Sequence, residues 1–558
     1  MKRRQLAASG GILTMLVLAV CACPAMASNT IPVVSTTTGP VQGASEHGVA
    51  RWTGIPYAKA PEGRLRWLAP VPPVTRTTVY DATRPAKACI QVSSEGTVGQ
   101  EDCLNLNIYR PTDATGTLPV LVYIHGGNNQ LGSSAEFSPL YIADRLNAVI
   151  VTVNYRLGAL GFNPLKALNT GDPEQNSGNF SLLDLHEALA WIRKNAEAFG
   201  GNPHNITVSG FSAGGRDVMA MLISPIFANT FDKAIVFSGG MTTADKNDAE
   251  AIFAERLAPL VVKKGIRKNR HSAKTWLMTP SPEVRAFLYG LPPTQLARLF
   301  GDAGIRMSHF PHLYRDGVVL PSGFSTQRYN AVPLIMATGQ QEFSFFARGD
   351  VMFAAAAKNG TLSTTPSLLN RYRFANQYGG LMYSLFNVQA SAEKMFAHYN
   401  APIYGVEFRY GSDVVVTGDK LAQVGSFHGI FMPFWDSSKY AEFTQDVLKL
   451  DGVQKLGDEF NGYLKDFLQS GSPNDRSRVE WQRWTPENAA AGQSLLIMDA
   501  NKKKPIIYMS NKAYSYQDII REMDNDHSLS DADKNSVMRE VLNGRWFSEA
   551  LDQHMNKH

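Results

Sequence analysis

Between Leu118 and Gly214 the chain repeats one pattern, a short unbroken apolar run followed by apolar residues at helical spacing. Pro119 to Ile124 (PVLVYI) and Ala148 to Asn154 (AVIVTVN) lack the polar alternation of a half-exposed strand. They therefore predict strands buried on both faces. Leu182, Leu185, Leu189 and Ile192 fall on one helical face, and Phe199-Gly200 closes that helix. Ile206–Val208 and Ala234–Phe237 (AIVF) are two further short strands. Strand and helix in alternation predict an α/β fold, a parallel sheet with helices on its faces.

Outside this core the pattern changes. Ile31 to Val49 reads as antiparallel hairpin material with its turn at Gly39-Pro40. Residues from about 245 to 302 are polar and helix-leaning, as expected of an insertion that roofs a site on the sheet. From about 515 to 558 the chain is charged and less regular, with Leu529 to Leu551 a candidate amphipathic helix. There is no internal repeat, heptad run or low-complexity linker, so residues 28–558 are expected to form one domain.

The first 27 residues read as an export signal. Lys2-Arg3-Arg4 supply the positive region, Gly11 to Val20 the apolar region, and Ala25-Met26-Ala27 an A-x-A cleavage site. The expected mature chain starts at Ser28 and is exported, either to the periplasm or out of the cell. A competing reading makes Cys23 a lipid-anchored first residue. No other stretch approaches the ~18 apolar residues of a spanning helix.

Composition narrows the function classes. Apolar residues make up 44% of the chain and charged residues 18%, a globular balance. Three of the cations behind the formal charge of +5 lie in the leader, so nucleic-acid binding is not indicated. The densest basic run, Lys263 to His271, reads as a solvated loop. Beyond the leader only Cys89 and Cys103 remain; in an exported protein they are expected to pair, with two buried thiols as the alternative. No C-x-x-C, H-E-x-x-H or paired carboxylate run is present, so no metal or other cofactor is expected.

Four scattered stretches carry the chemistry: His125-Gly126-Gly127-Asn128, Gly210-Phe211-Ser212-Ala213-Gly214, Glu342 and His428. Their chain order, oxyanion loop then serine, acid and histidine, is that of a serine hydrolase on an α/β-hydrolase sheet. A strand entering a Gly-x-Ser-x-Gly turn presents the serine at the sheet's carboxyl end.

Further blocks extend the pattern. They include Trp52-Thr53-Gly54-Ile55-Pro56-Tyr57-Ala58, Glu101 to Asn107 (EDCLNLN), Asn154 to Gly158 (NYRLG) and Phe199 to Pro203 (FGGNP). Phe237-Ser238-Gly239, Asp316-Gly317 and Phe467 to Pro473 continue it. From about Thr36 to Pro486 the chain resembles the type-B carboxylesterases, the cholinesterase-like serine esterases. That resemblance implies a mostly parallel, twisted sheet flanked by helices, with helical insertions over the site. It implies Ser212 as nucleophile, His428 as general base and then acid, and Glu342 as the acid that orients it. The backbone N–H groups of Gly127, Asn128 and Ala213 would form the oxyanion hole. The implied partner is a small-molecule ester; oligomeric state is not indicated.

The chain also departs from the family. Asn128 replaces a third glycine, which asparagine tolerates better than most residues where φ is positive. Phe343 stands where the family usually has glycine. Phe211 precedes the serine and Phe431 follows the histidine by three, both at positions where many members carry an acid. The expected consequence is a drier site that favours uncharged, apolar or aromatic esters over cationic ones. Two alternatives follow: a non-catalytic binding protein that keeps the fold, or the same machinery on an amide, thioester or lipid ester. The cluster Gly379 to Phe386 (GGLMYSLF) suits either an acyl pocket or helix-core packing.

Overall fold

The computed structural model describes residues 31–510 and 512–556, so the leader lies outside the described residues. At the centre is an 11-stranded sheet. In chain order its strands are β1 (Ala44–Glu46), β2 (Val49–Pro56), β3 (Asn105–Pro111), β4 (Leu118–Ile124), β5 (Val149–Val153) and β6 (Gly201–Phe211). Then follow β7 (Lys233–Phe237), β8 (Leu334–Gly339), β9 (Ile403–Phe408), β10 (Leu495–Ala500) and β11 (Pro505–Met509). Across the sheet they run 1-2-3-5-4-6-7-8-9-10-11. Strands β4 to β10 pair in parallel, while both margins are antiparallel.

The apolar runs explain the centre. Along β4, Val120, Val122 and Ile124 face one core cluster, and Leu121 and Tyr123 face the other. A strand covered on both sides has no solvent face, so its sequence shows no alternation. Helix α1 (Phe180–Asn195) packs Leu182, Leu185, Leu189 and Ile192 into the first cluster and ends through a short 3-10 turn at left-handed Gly200. Helix α2 (Ala213–Ile223) starts immediately after Ser212 and is buried along its whole length.

Several expectations need correction. The first hairpin turns at Thr37-Thr38, and Gly39-Pro40 already lies in the returning strand. The strand expected at Ile206–Val208 extends over all of β6, with a bulge between Gly201 and Ile206. Residues 245–302 contain helices α3 (Lys246–Lys263), α4 (Arg270–Leu277), α5 (Pro282–Tyr289) and α6 (Pro293–Ala297). The run Lys263 to His271 spans the end of α3, the largely exposed connection 264–269 and the start of α4, where Asn269 forms a capping box with Ser272.

Leu529 to Leu551 is not one helix. After α7 (Pro366–Asn387) and α8 (Asp451–Ser470), the tail forms α9 (Tyr516–Asp524), α10 (Asp531–Ser536), a π-turn at Val537–Leu542 and α11 (Glu549–Met555). Gly544 at φ 70° breaks the run between the π-turn and α11. These pieces join α7 in a third apolar cluster that includes Tyr383, Trp546, Phe547 and Leu551.

Candidate active site

Strand β6 runs straight into Ser212, whose φ of 56° and ψ of −119° lie outside the ordinary regions for a side-chain-bearing residue. The turn is pinned on both sides. Ser212 N–H donates to Phe237 O at 2.8 Å, and Arg216 N–H donates to Ser212 O at 3.0 Å. Close approach explains its two glycines. A Cβ on Gly210 would lie 2.3 Å from the Gly214 carbonyl carbon, and one on Gly214 would lie 2.2 Å from Ile124 O.

The loop that holds the expected oxyanion donors leaves the end of β4. His125 is buried, stacks on Tyr155 at 4.5 Å, and is held neutral because burial lowers its pKa to about 4. Its Nδ1 lies 2.9 Å from Gly126 O, which suits a donated Nδ1–H. Gly126 N–H donates to both carboxylate oxygens of Glu136 at 3.3 Å. Beyond it Gly127, Asn128 and Asn129 all take positive φ, at 99°, 58° and 53°. Among the described residues, the N–H groups of Gly127, Asn128 and Ala213 have no internal partner.

Glu342 follows β8 and is fully buried. Its Oε1 accepts from Ser238 Oγ–H at 2.6 Å, Thr338 Oγ1–H at 3.0 Å and Gly339 N–H at 2.6 Å. Its Oε2 lies 2.5 Å from Nδ1 of His428. Three donors on one oxygen and the imidazole on the other satisfy a carboxylate that burial alone would penalise. The His428 loop is tied to the neighbour of this acid, since Gln341 Oε1 accepts from Ser426 N–H at 2.8 Å.

Aromatic rings enclose the imidazole: Phe211 at 4.6 Å, Phe346 at 5.0 Å and Tyr383 at 5.6 Å. Nε2 of His428 is buried and makes no hydrogen bond, including to Ser212. Catalytic hydrogen bonds commonly tighten only when substrate is bound.

The departures have physical partners. Phe431 stacks on Phe237 at 4.1 Å and meets Phe211 edge-on at 5.5 Å, so both fill one aromatic cluster. Phe343 is accommodated by Gly379 on α7, where a Cβ would fall 2.4 Å from its ring. The Gly379 to Phe386 cluster packs in the core. Its Gly379 makes room for a core ring, while Tyr383 reaches the imidazole. Cys89 and Cys103 form a disulfide with Cα atoms 4.9 Å apart.

Several site residues lay outside the sequence reading. Ser238 stands in the sequence only as part of the Phe237-Ser238-Gly239 block. Arg216 is buried, with Nη1 2.7 Å from His312 Nε2 and its guanidinium 3.8 Å from the Trp546 ring. Burial lowers its pKa to about 10. Asp217, Asn129 and Glu136 complete the surroundings. No local motif marks these residues, because their partners come from distant elements.

A strained serine after a buried parallel strand, backbone N–H groups without an internal partner and a carboxylate-bound histidine are the features expected of a serine hydrolase of α/β fold. The comparisons narrow this. The model of the carboxylesterase family matches residues 30–377. Carboxylesterase 1C of Rattus norvegicus is 34% identical, with 85% of this chain and 91% of that protein aligned. The para-nitrobenzyl esterase of Bacillus subtilis is 41% identical over 43% of this chain and 50% of its own. A solved PNB esterase superposes with a TM-score of 0.66 at 27% identity, covering 87% of this chain and 99% of that one. The chain belongs to the carboxylesterase family and is a carboxylic ester hydrolase of α/β-hydrolase fold. Among the described residues no helix is long and apolar enough to cross a membrane.

Proposed function

We propose that the protein is an exported serine esterase that cleaves uncharged, apolar or aromatic carboxylic esters through an acyl-enzyme. The observation that carries this reading is the buried Glu342–His428 pair, with Oε2 and Nδ1 2.5 Å apart and Nε2 left without a partner. Ser212 Oγ attacks the ester carbonyl carbon while its proton passes to Nε2 of His428. Glu342 holds Nδ1–H and stabilises the imidazolium. The carbonyl oxygen, now an oxyanion, accepts from the N–H groups of Gly127, Asn128 and Ala213. Collapse breaks the bond to the alcohol oxygen, which takes the proton from Nε2. Water then attacks the acyl-enzyme by the same route and releases the acid and free Ser212.

The substrate preference rests on Phe211 and Phe431. Both replace acids that many family members carry, and both lie in the aromatic cluster beside His428. Export rests on the leader pattern and agrees with the Cys89–Cys103 disulfide.

The test is hydrolysis of p-nitrophenyl esters across acyl lengths, alongside Ser212→Ala. Turnover and phosphonate labelling should both vanish in the variant. A choline ester and its isosteric neutral ester should differ at least tenfold in kcat/KM in favour of the neutral one. Equal values would overturn the preference, and turnover surviving in Ser212→Ala would overturn the mechanism.

A further inference from the structure

The oxyanion donors come from two separate elements. Gly127 and Asn128 lie on the loop leaving β4, and Ala213 opens α2. A tetrahedral intermediate benefits only if these N–H groups keep a fixed spacing. Glycine would normally carry such a turn, yet here two consecutive asparagines hold left-handed φ values of 58° and 53°. Each such residue costs conformational energy that surrounding contacts must offset.

The side chain of Asn129 makes those contacts. It is fully buried, and its Nδ2–H donates to Asp217 Oδ1 at 2.9 Å. The Tyr155 hydroxyl lies 3.0 Å from its Oδ1 and 2.8 Å from His125 O, sharing its one proton between the two acceptors. Its own carbonyl accepts from Gly158 N–H at 2.7 Å. Asp217 stands on the second turn of α2, the helix that presents Ala213, and is itself fully buried. One side chain therefore bolts the oxyanion loop to the nucleophile helix and, through Tyr155, to the start of that loop. Neither Asn129 nor Asp217 touches the reacting atoms in the mechanism above.

We propose that Asn129 and Asp217 form a clamp that sets the spacing of the two halves of the oxyanion hole, making both positioning residues for ester hydrolysis. This rests on Ser212 acting as the nucleophile. The clamp acts on the transition state, so its loss should lower kcat and leave KM nearly unchanged.

The discriminating variant is Asn129→Gly. Glycine accepts the φ of 53° without strain and deletes only the side chain. Activity is measured per active site, counted with a fluorophosphonate probe that labels wild type and not Ser212→Ala. Expected is a fall in kcat of about tenfold to a hundredfold, the scale of a slight misplacement of catalytic groups. KM should stay within about threefold, and affinity for a trifluoromethyl ketone that mimics the oxyanion should fall in parallel with kcat. Asp217→Asn, which keeps an acceptor for Asn129, should retain kcat within a few-fold, while Asp217→Leu should match Asn129→Gly. A merely structural pair would lower the count of titratable sites while kcat per site stayed at the wild-type value. That result, or unchanged ketone affinity in Asn129→Gly, would overturn the clamp. A folded wild type that the probe fails to label would overturn the nucleophile reading and the clamp with it.

Discussion

Replacing Glu342 with glutamine should abolish most activity without unfolding the protein, for a reason visible in the carboxylate's hydrogen bonds. Oε1 accepts from Ser238, Thr338 and the backbone N–H of Gly339, and Oε2 faces Nδ1 of His428. The two hydroxyls can rotate, but the Gly339 N–H cannot turn away. The glutamine carbonyl oxygen must therefore occupy the Oε1 position, which directs the amide NH2 at Nδ1. Nδ1 then has to accept, and the imidazole proton moves to Nε2, where the mechanism needs a base. Keeping the productive tautomer would set one donor against another in a buried site, at about 1–3 kcal/mol. The imidazolium would also lose its carboxylate. The corresponding acid-to-amide change in a Ser-His-Asp triad lowers kcat by about 10⁴. At 1.36 kcal/mol per tenfold this is about 5 kcal/mol of barrier. The assay is p-nitrophenyl ester turnover beside a urea unfolding curve. A kcat within tenfold of wild type at an unchanged unfolding midpoint would refute the tautomer argument.

Three further outcomes follow from the same structure. Gly214→Ala places a Cβ 2.2 Å from Ile124 O, so phosphonate labelling of Ser212 should fall at least tenfold; normal labelling would show that the elbow yields more easily than its packing implies. Removing the disulfide with Cys89→Ala/Cys103→Ala frees a loop with a sequence separation of 14, and should lower unfolding free energy by about 3 kcal/mol while kcat stays within a few-fold. A loss under about 0.5 kcal/mol in urea would contradict this. Burial raises the pKa of Asp217 to about 7 from an ordinary 3.8, with Asn129, Tyr155 and Arg216 around it. A raised carboxyl pKa contributes stability that is full below about 3.8 and lost as pH rises through about 7. Between pH 5 and pH 8, wild type should therefore lose urea resistance relative to Asp217→Asn, and parallel curves would rule this out.

Part of this protein is legible without coordinates. The continuous apolar runs of β4, β5 and β7 announce strands covered on both faces, and the glycine-flanked Ser212 announces a tight strand-to-helix turn. These are local properties, set by the period of side-chain burial and by backbone crowding within a few residues. Glu342 and His428 were legible only through family blocks, since no local rule distinguishes a buried glutamate that holds a histidine from a surface one. The tail shows how local reading fails. Leu529 to Leu551 has helical spacing, yet Gly544 breaks it so that Trp546 can cover Arg216 and Phe547 can lie against Tyr383 at 4.8 Å. Tertiary burial outweighed local propensity there.

The sequence by itself determined the fold class and the tight glycine-flanked turn at Ser212, because both depend on short-range pattern. Only the tertiary structure decided how Glu342 is held by three donors, why Phe343 fits against Gly379, and that Asn129 reaches Asp217 across 88 positions of chain. Such contacts join residues whose separation along the sequence says nothing about their separation in space. A buried hydrogen bond selects its partner by position and direction, and those exist only once the sheet has assembled.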